Sequence, residues 1–218
     1  MPPLLTIKNL RVTFTNDGII NTVVKDINFA IEKGKITALV GESGSGKSIT
    51  ALSLLKLLPP NANATGEILF CNCQSSTNLL HLSSKKINTI RGNSISMIFQ
   101  EPMTSLNPVL TCGRQVIEVL VKHKKYSSKV AREITIQLFE KTGLPNPEQI
   151  LKRYPHQLSG GQKQRIMIAM AICCNPTLLI ADEPTTALDV TVQKNILSLI
   201  KNLQVQNSMA VLLITHDL

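Results

Sequence analysis

The sequence predicts an α/β fold: a core of short buried strands, an antiparallel β part at the N-terminal end, and a helical insertion between two halves of the core. Three observations carry this expectation. Ile36-Thr37-Ala38-Leu39-Val40 is a short continuous apolar run, the pattern of a strand buried on both faces of a parallel sheet. Strands of the same kind return at Leu178-Leu179-Ile180-Ala181 and Val211-Leu212-Leu213-Ile214. Between them, Leu106 to about Arg153 changes character, with helical spacing at Val116, Leu120, Ile134 and Leu138 and breakers at Gly143, Pro145 and Pro147.

From the N-terminus, Leu10, Val12 and Phe14 alternate, Asn16-Asp17-Gly18 offers a turn, and Ile27, Phe29 and Ile31 alternate again. Glu32-Lys33-Gly34-Lys35 reverses the chain into the Ile36 run. A helix is expected from Lys47 to Leu58, ended by Pro59-Pro60, and a polar stretch, Asn61 to Gly66, leads to strands at Glu67 to Phe70 and Ser94 to Phe99. Further helices are expected over Lys163 to Cys174 and Val192 to Gln204. Sheet, helical inset and sheet is the resulting order.

Composition narrows the functional classes. The 218 residues are 43% apolar and 17% charged, enough to build one well-packed domain and too apolar for disorder. The longest apolar run, Ile166 to Cys174, falls well short of the roughly 20 residues of a spanning helix. Met1 to Lys8 lacks the pattern of a signal peptide. Lys and Arg exceed Asp and Glu by 23 to 14, a net charge of +9, so an anionic partner or an ordinary solvated basic surface is implied. With no Trp, 2 Tyr and 5 Phe, a base-stacking platform for single-stranded nucleic acid is poorly supplied. Cys71, Cys73, Cys112, Cys173 and Cys174 form no CxxC pair and have no His set at zinc spacing, which points to a reduced, cytosolic compartment.

The chemistry is carried by loops at strand ends. Gly41-Glu42-Ser43-Gly44-Ser45-Gly46-Lys47-Ser48 fits GxxxxGK[ST] between a buried strand and a helix. Its glycines let backbone amides close on phosphate, the helix start adds partial positive charge, Lys47 reaches the outer phosphates, and the Ser48 hydroxyl is placed for magnesium. Leu178 to Glu183 is an apolar strand ending in two carboxylates; Asp182 suits the same Mg²⁺ and Glu183 suits polarising an attacking water. Leu158-Ser159-Gly160-Gly161-Gln162 before a helix is a second amide-rich anion seat, or else a Ser159 N-cap with a flexible diglycine.

With these motifs in order, the sequence resembles the nucleotide-binding subunit of ABC transporters. The Walker A loop is Gly41 to Ser48 with Ile49 behind it, the Q-loop glutamine is Gln100, the signature is Leu158, Ser159, Gly160, Gly161 and Gln162, and the Walker B strand ends at Asp182. Glu183 corresponds to the catalytic carboxylate, Ala187-Leu188-Asp189 to the D-loop and His216 to the switch histidine. The segments Phe99 to Pro108, Tyr154 to Gln162 and Ala181 to Thr191 are similar to the oligopeptide, dipeptide and nickel importer branch. The resemblance implies a P-loop NTPase cassette with a mixed RecA-like core sheet over about 1–102 and 159–218, and a helical subdomain over about 103–158. It covers the chain from about residue 4 onward, and the family continues past the position of His216.

What the resemblance implies about function is an ATPase using ATP and Mg²⁺ to power import of a peptide or a nickel or metal chelate. Glu183, His216 and Lys47 are the implied catalytic residues; Ser48, Gln100 and Asp182 the implied metal residues; Phe14 the candidate for stacking on adenine, or a core side chain. The implied partners are a second cassette that closes head-to-tail on shared ATP, permease subunits and an extracytoplasmic solute-binding protein, with no nucleic acid. The implied location is cytoplasmic, peripheral on the cytosolic face of the inner membrane. Two other readings are a non-transport cassette acting on DNA or ribosomes, whose coiled coils or tandem second cassette are not seen here, and a truncated, inactive cassette.

Overall fold

The structure is a computed structural model that describes residues 2–72, 75–100, 105–186 and 188–216. Cys73, Glu101 to Thr104, Ala187, Asp217 and Leu218 lie outside the described residues, and with them parts of the Cys71-x-Cys73 pair, the Phe99 to Pro108 segment and the D-loop. In chain order the elements are β1 (Leu5–Asn16), β2 (Ile19–Ile31), β3 (Ile36–Val40), α1 (Lys47–Leu54), β4 (Ala62–Asn72), β5 (Ser75–Asn78), α2 (Ser84–Ile90) and β6 (Ile95–Ile98). They continue as α3 (Cys112–Lys124), α4 (Ser128–Lys141), α5 (Pro147–Ile150), α6 (Gly160–Ile172), β7 (Leu178–Asp182), α7 (Val190–Asn207) and β8 (Ala210–Thr215).

Antiparallel and parallel pairing are sorted into two sheets. One has the order β2-β1-β4-β5 and the other the order β3-β8-β7-β6. The first grows from a hairpin that turns at Asp17-Gly18 and pairs Asn16 with Ile19. In the second, β8 pairs in parallel with both β3 and β7, and β7 with β6. A parallel sheet delivers all its strand ends to one side, so the loops after β3, β6, β7 and β8 emerge together.

Strand periodicity then divides the core in two. Side chains alternate across a sheet, and Leu178, Ile180, Leu212 and Ile214 face an apolar cluster built with Leu5, Ile7 and Ile68 of the antiparallel sheet and with Ala51 and Leu54 of α1. Leu179, Ala181 and Val211 face the opposite cluster, built with Ile166 and Ile168 of α6, Ile196 and Ile200 of α7, and Val116, Leu120 and Phe139 of α3 and α4. The parallel sheet is thus covered on both faces, and all five residues of β7 are buried.

Several expectations are corrected. Ile36 to Val40 is a strand, but it is not buried on both faces: β3 is the edge of its sheet among the described residues, with Ile36 42% and Val40 39% exposed. α1 stops at Leu54 rather than Leu58, because Lys56 turns left-handed at φ 51° and Arg91 donates from Nε to the Leu55 carbonyl at 2.7 Å, holding the helix end. The polar stretch Asn61 to Gly66 is mostly strand: β4 begins at Ala62, and Ala62, Asn63 and Ala64 pair with Phe14, Thr13 and Val12. Backbone pairing with β1 outweighs its loop-like composition. α6 begins at Gly160 and α7 at Val190, both earlier than the apolar periodicity suggests, because Ser159 and Asp189 cap them.

The β1–β4 pairing carries a register shift between Lys8 and Arg11, where Asn9 has φ 48°. Gly66 crosses it at φ 103°; a Cβ there would sit 2.7 Å from the Lys8 carbonyl oxygen and closer still to that of Asn9. Only glycine fits such a crossing. Gly66→Ala is expected to cost about 1–3 kcal/mol, read as a melting temperature lowered by roughly 2–4 °C per kcal/mol. An unchanged melting curve would remove this constraint.

Candidate functional site

The loop between β3 and α1 is shaped as a cradle. Gly46 caps α1 at φ 91° with no side-chain acceptor for the first-turn amides, and no acidic residue occupies that turn. The amides are left for an anion, as helix N-termini favour. A Cβ on Gly46 would lie 3.1 Å from the Val23 carbonyl oxygen and 3.1 Å from Val24 Cγ2, so the antiparallel sheet presses against the loop. A cavity of about 170 Å³ opens here, lined by Val23, Ser43, Gly44, Gly46, Lys47, Ser48, Ile49, Gln100 and Glu183.

Lys47 is buried, and its ammonium group donates to the carbonyl oxygens of Gly41 and Glu42, both at 2.7 Å. A buried cation needs such acceptors, and phosphate oxygens would exchange with them. Ser48 Oγ donates to Asp182 Oδ1 at 3.0 Å, which brings two oxygen ligands suited to a hard divalent cation together across 134 residues of chain. Asp182 is 3% exposed. Burial raises its pKa, opposed by the Ser48 hydrogen bond, while the Glu183 charge raises it further and Lys47 lowers it.

Glu183 is the hub of the site. Its Oε2 accepts from Gln100 Nε2 at 3.0 Å and from Thr186 Oγ1 at 3.0 Å, and lies 3.2 Å from His216 Nδ1. Its backbone is left-handed at φ 44°, and its amide donates to the Ile214 carbonyl of β8 at 3.0 Å. Gln100, Glu183 and His216, separated by 83 and 33 residues of sequence, therefore meet at the carboxyl ends of three neighbouring parallel strands.

The remaining sequence-predicted residues lie apart from this cavity. Leu158, Ser159, Gly160, Gly161 and Gln162 do not line it. Ser159 caps α6: its Oγ accepts from the Gln162 amide at 3.3 Å, and Gln162 Oε1 accepts from the Ser159 amide at 3.1 Å, a capping box. Asp189 caps α7 through the Val192 amide at 2.9 Å. Phe14 pairs across β1 with Asn21 and Ala62 and packs partly on the N-terminal core; the apolar wall of the cavity on that side is Val23.

Residue-level reading of the sequence passed over Thr186, Val23 and Gln164. Thr186 stands three residues after Glu183, a spacing that a tight turn converts into contact. Gln164 is a polar side chain in the buried run of α6, 1% exposed, whose Nε2 donates to the Pro184 carbonyl at 2.7 Å. An amide on an otherwise apolar helix face is a signal that sequence offers. Val23 reaches the cavity only through the approach of the two sheets.

Comparison with known proteins agrees with this geometry. The dipeptide transport ATP-binding protein DppD of Bacillus subtilis is 51% identical, covering 100% of this chain and 64% of its own length. The oligopeptide transport ATP-binding protein OppD of the same organism is 48% identical over 99% of this chain and 60% of its own. The chain thus spans less than two thirds of these relatives. A solved dimeric ATP-binding cassette in a post-hydrolysis state, bound to ADP and Pi, superposes with a TM-score of 0.85 at 30% identity, covering 98% of this chain and 88% of that one. The ABC transporter family model matches residues 24–186, most of the chain and all of the elements from the phosphate loop to the paired carboxylates. The chain belongs to the ABC transporter family.

Proposed function

We propose that this chain binds and hydrolyses ATP to energise an importer whose solute is a peptide. The observation that carries the reading is the convergence of Lys47, Ser48, Asp182, Glu183, Gln100 and His216 on one cavity at the ends of the parallel strands. The dipeptide and oligopeptide transport relatives support the solute class. Among the described residues no helix is long and apolar enough to cross a membrane. The likeness to transport ATP-binding proteins supports a translocation path supplied by permease subunits, with the cassette peripheral on the cytosolic face. A solute-binding protein would complete the importer.

The phosphates enter the cradle of Gly41 to Ser48, where Lys47 exchanges two carbonyl contacts for phosphate oxygens. Ser48 and Asp182, with Gln100 at the rim, are the residues that would hold a magnesium ion, whose charge neutralises the β- and γ-phosphates. Glu183 takes the proton of the attacking water. To do so it must release some of the three contacts on Oε2, and in this reading Gln100 and His216 exchange theirs for the nucleotide. The signature Ser159 to Gln162 lies off this cavity, and in this reading it closes on the ATP of a partner cassette; the dimeric state of the solved relative supports the presence of such a partner. Val23 offers the apolar side of the cavity on which adenine would rest, and Phe14 packs on the core apart from it.

Three outcomes test the reading. Glu183→Gln is expected to keep ATP binding and lose turnover by about 10²–10⁴-fold, with an ATP-dependent dimer in light scattering; parental hydrolysis by that variant sinks the role. Lys47→Ala should weaken a fluorescent ATP analogue roughly tenfold or more, and unchanged affinity counts against the phosphate cradle. Asp182 has its pKa raised in the fold, so ionising it costs stability; that cost is absent below the ordinary carboxylate range and is fully present above the raised folded value. Asp182→Asn should therefore melt higher than the parent at pH 7 without nucleotide, the gap closing as pH falls, while magnesium no longer strengthens nucleotide binding. A gap independent of pH would contradict the assignment.

A further inference from the structure

The turn that carries Glu183 is held from outside itself. Gln164 Nε2 donates to the Pro184 carbonyl at 2.7 Å, and Gln193 Nε2 donates to the Thr185 carbonyl at 3.3 Å. Between these braces Glu183 keeps a left-handed backbone at φ 44°, and the Thr186 amide closes the turn on the Glu183 carbonyl at 3.2 Å. A side chain two bonds beyond such a backbone points where the turn sends it.

Gln164 is poorly explained as a stabilising residue. It is 1% exposed, and its Oε1 accepts no hydrogen bond among the described residues. A buried amide with one end unsatisfied carries a desolvation cost that offsets what its single hydrogen bond contributes to stability. What the amide supplies is a fixed distance between α6 and the Pro184 carbonyl. α6 is also the helix that begins at the signature loop, and Gln164 stands two residues after Gln162.

We propose that Gln164 is a positioning residue for Glu183: through the Pro184 carbonyl it holds the turn that aims the carboxylate, and it ties that aim to the N-terminal turn of the signature helix. The inference rests on the functional reading above, in which Leu158 to Gln162 meets the nucleotide of a partner cassette. Docking of that nucleotide at the helix start is then transmitted over one turn of α6 to the chain's own hydrolytic carboxylate. The two ATP sites of a dimer become coupled through a single side chain in each protomer.

The test is ATP turnover and nucleotide affinity of the full chain carrying Gln164→Met, which keeps length and volume and removes the donor. Turnover is expected to fall about ten- to hundredfold, as for a reacting group displaced by about an ångström, with affinity for a fluorescent ATP analogue and melting temperature near parental, and with the Hill coefficient for ATP moving towards 1. Gln164→Glu gives a second readout. Its buried carboxyl can donate to the Pro184 carbonyl only when protonated, so its turnover relative to the parent should rise as pH falls. Parental turnover of Gln164→Met, a joint loss of affinity, turnover and melting temperature, or a flat relative pH profile for Gln164→Glu would each overturn the inference. Glu183→Gln separates the two levels: if it still hydrolyses ATP, the functional reading fails; if it is inactive while Gln164→Met is parental, only the positioning role fails.

Discussion

Everything at the site depends on the in-register parallel pairing of β3, β8, β7 and β6. Parallel strands share a direction, so each one ends on the same side and hands its following loop to a common cavity. β3 delivers the phosphate cradle, β6 delivers Gln100, β7 delivers Asp182 and Glu183, and β8 delivers His216. The pairing is held by apolar clusters on both faces, so the placement of polar groups at the ends is set by packing in the middle. A shift of register by one residue would invert the faces of Leu178 to Ala181 and move both carboxylates.

The polar groups of the site satisfy one another. Lys47 rests on its own loop, Ser48 on Asp182, and Gln100, Thr186 and His216 on Glu183. Each contact joins a group that, in the proposed function, would meet phosphate, metal or water to a neighbour with complementary hydrogen-bonding capacity. For these side chains nucleotide entry would be an exchange of partners, which lowers the cost of keeping them buried, while the first-turn amides of α1 would gain an acceptor.

In the proposed function, α6 would link the signature loop to the paired carboxylates. Its first turn carries a loop with no part in the cavity of its own chain, and its next residues, Gln164, Ile166 and Ile168, join the core behind the paired carboxylates. From Lys163 onward the helix is mostly buried between the sheet and the helices α3, α4 and α7, so movement at its start is felt where it packs. The asymmetry between one satisfied and one unsatisfied amide atom of Gln164 marks the place where packing has been subordinated to position.

Much of the site was legible in the residues alone, because its chemistry is local. A phosphate cradle needs its glycines, lysine and serine at consecutive positions, and an apolar strand ending in Asp182-Glu183 announces both its burial and its exit. Strand and helix periodicity placed most elements for the same reason, within the limits set by caps such as Ser159 and Asp189. Tertiary structure decided what no window of sequence contains. The exposure of β3 follows from its place at the sheet edge, the strand character of Asn63 and Ala64 from pairing with β1, and the meeting of Gln100, Thr186 and His216 on one carboxylate oxygen from the order β3-β8-β7-β6. Local propensity acts over a few residues, whereas these outcomes arise from contacts between segments far apart in the chain, whose energies exist only once the sheet has formed.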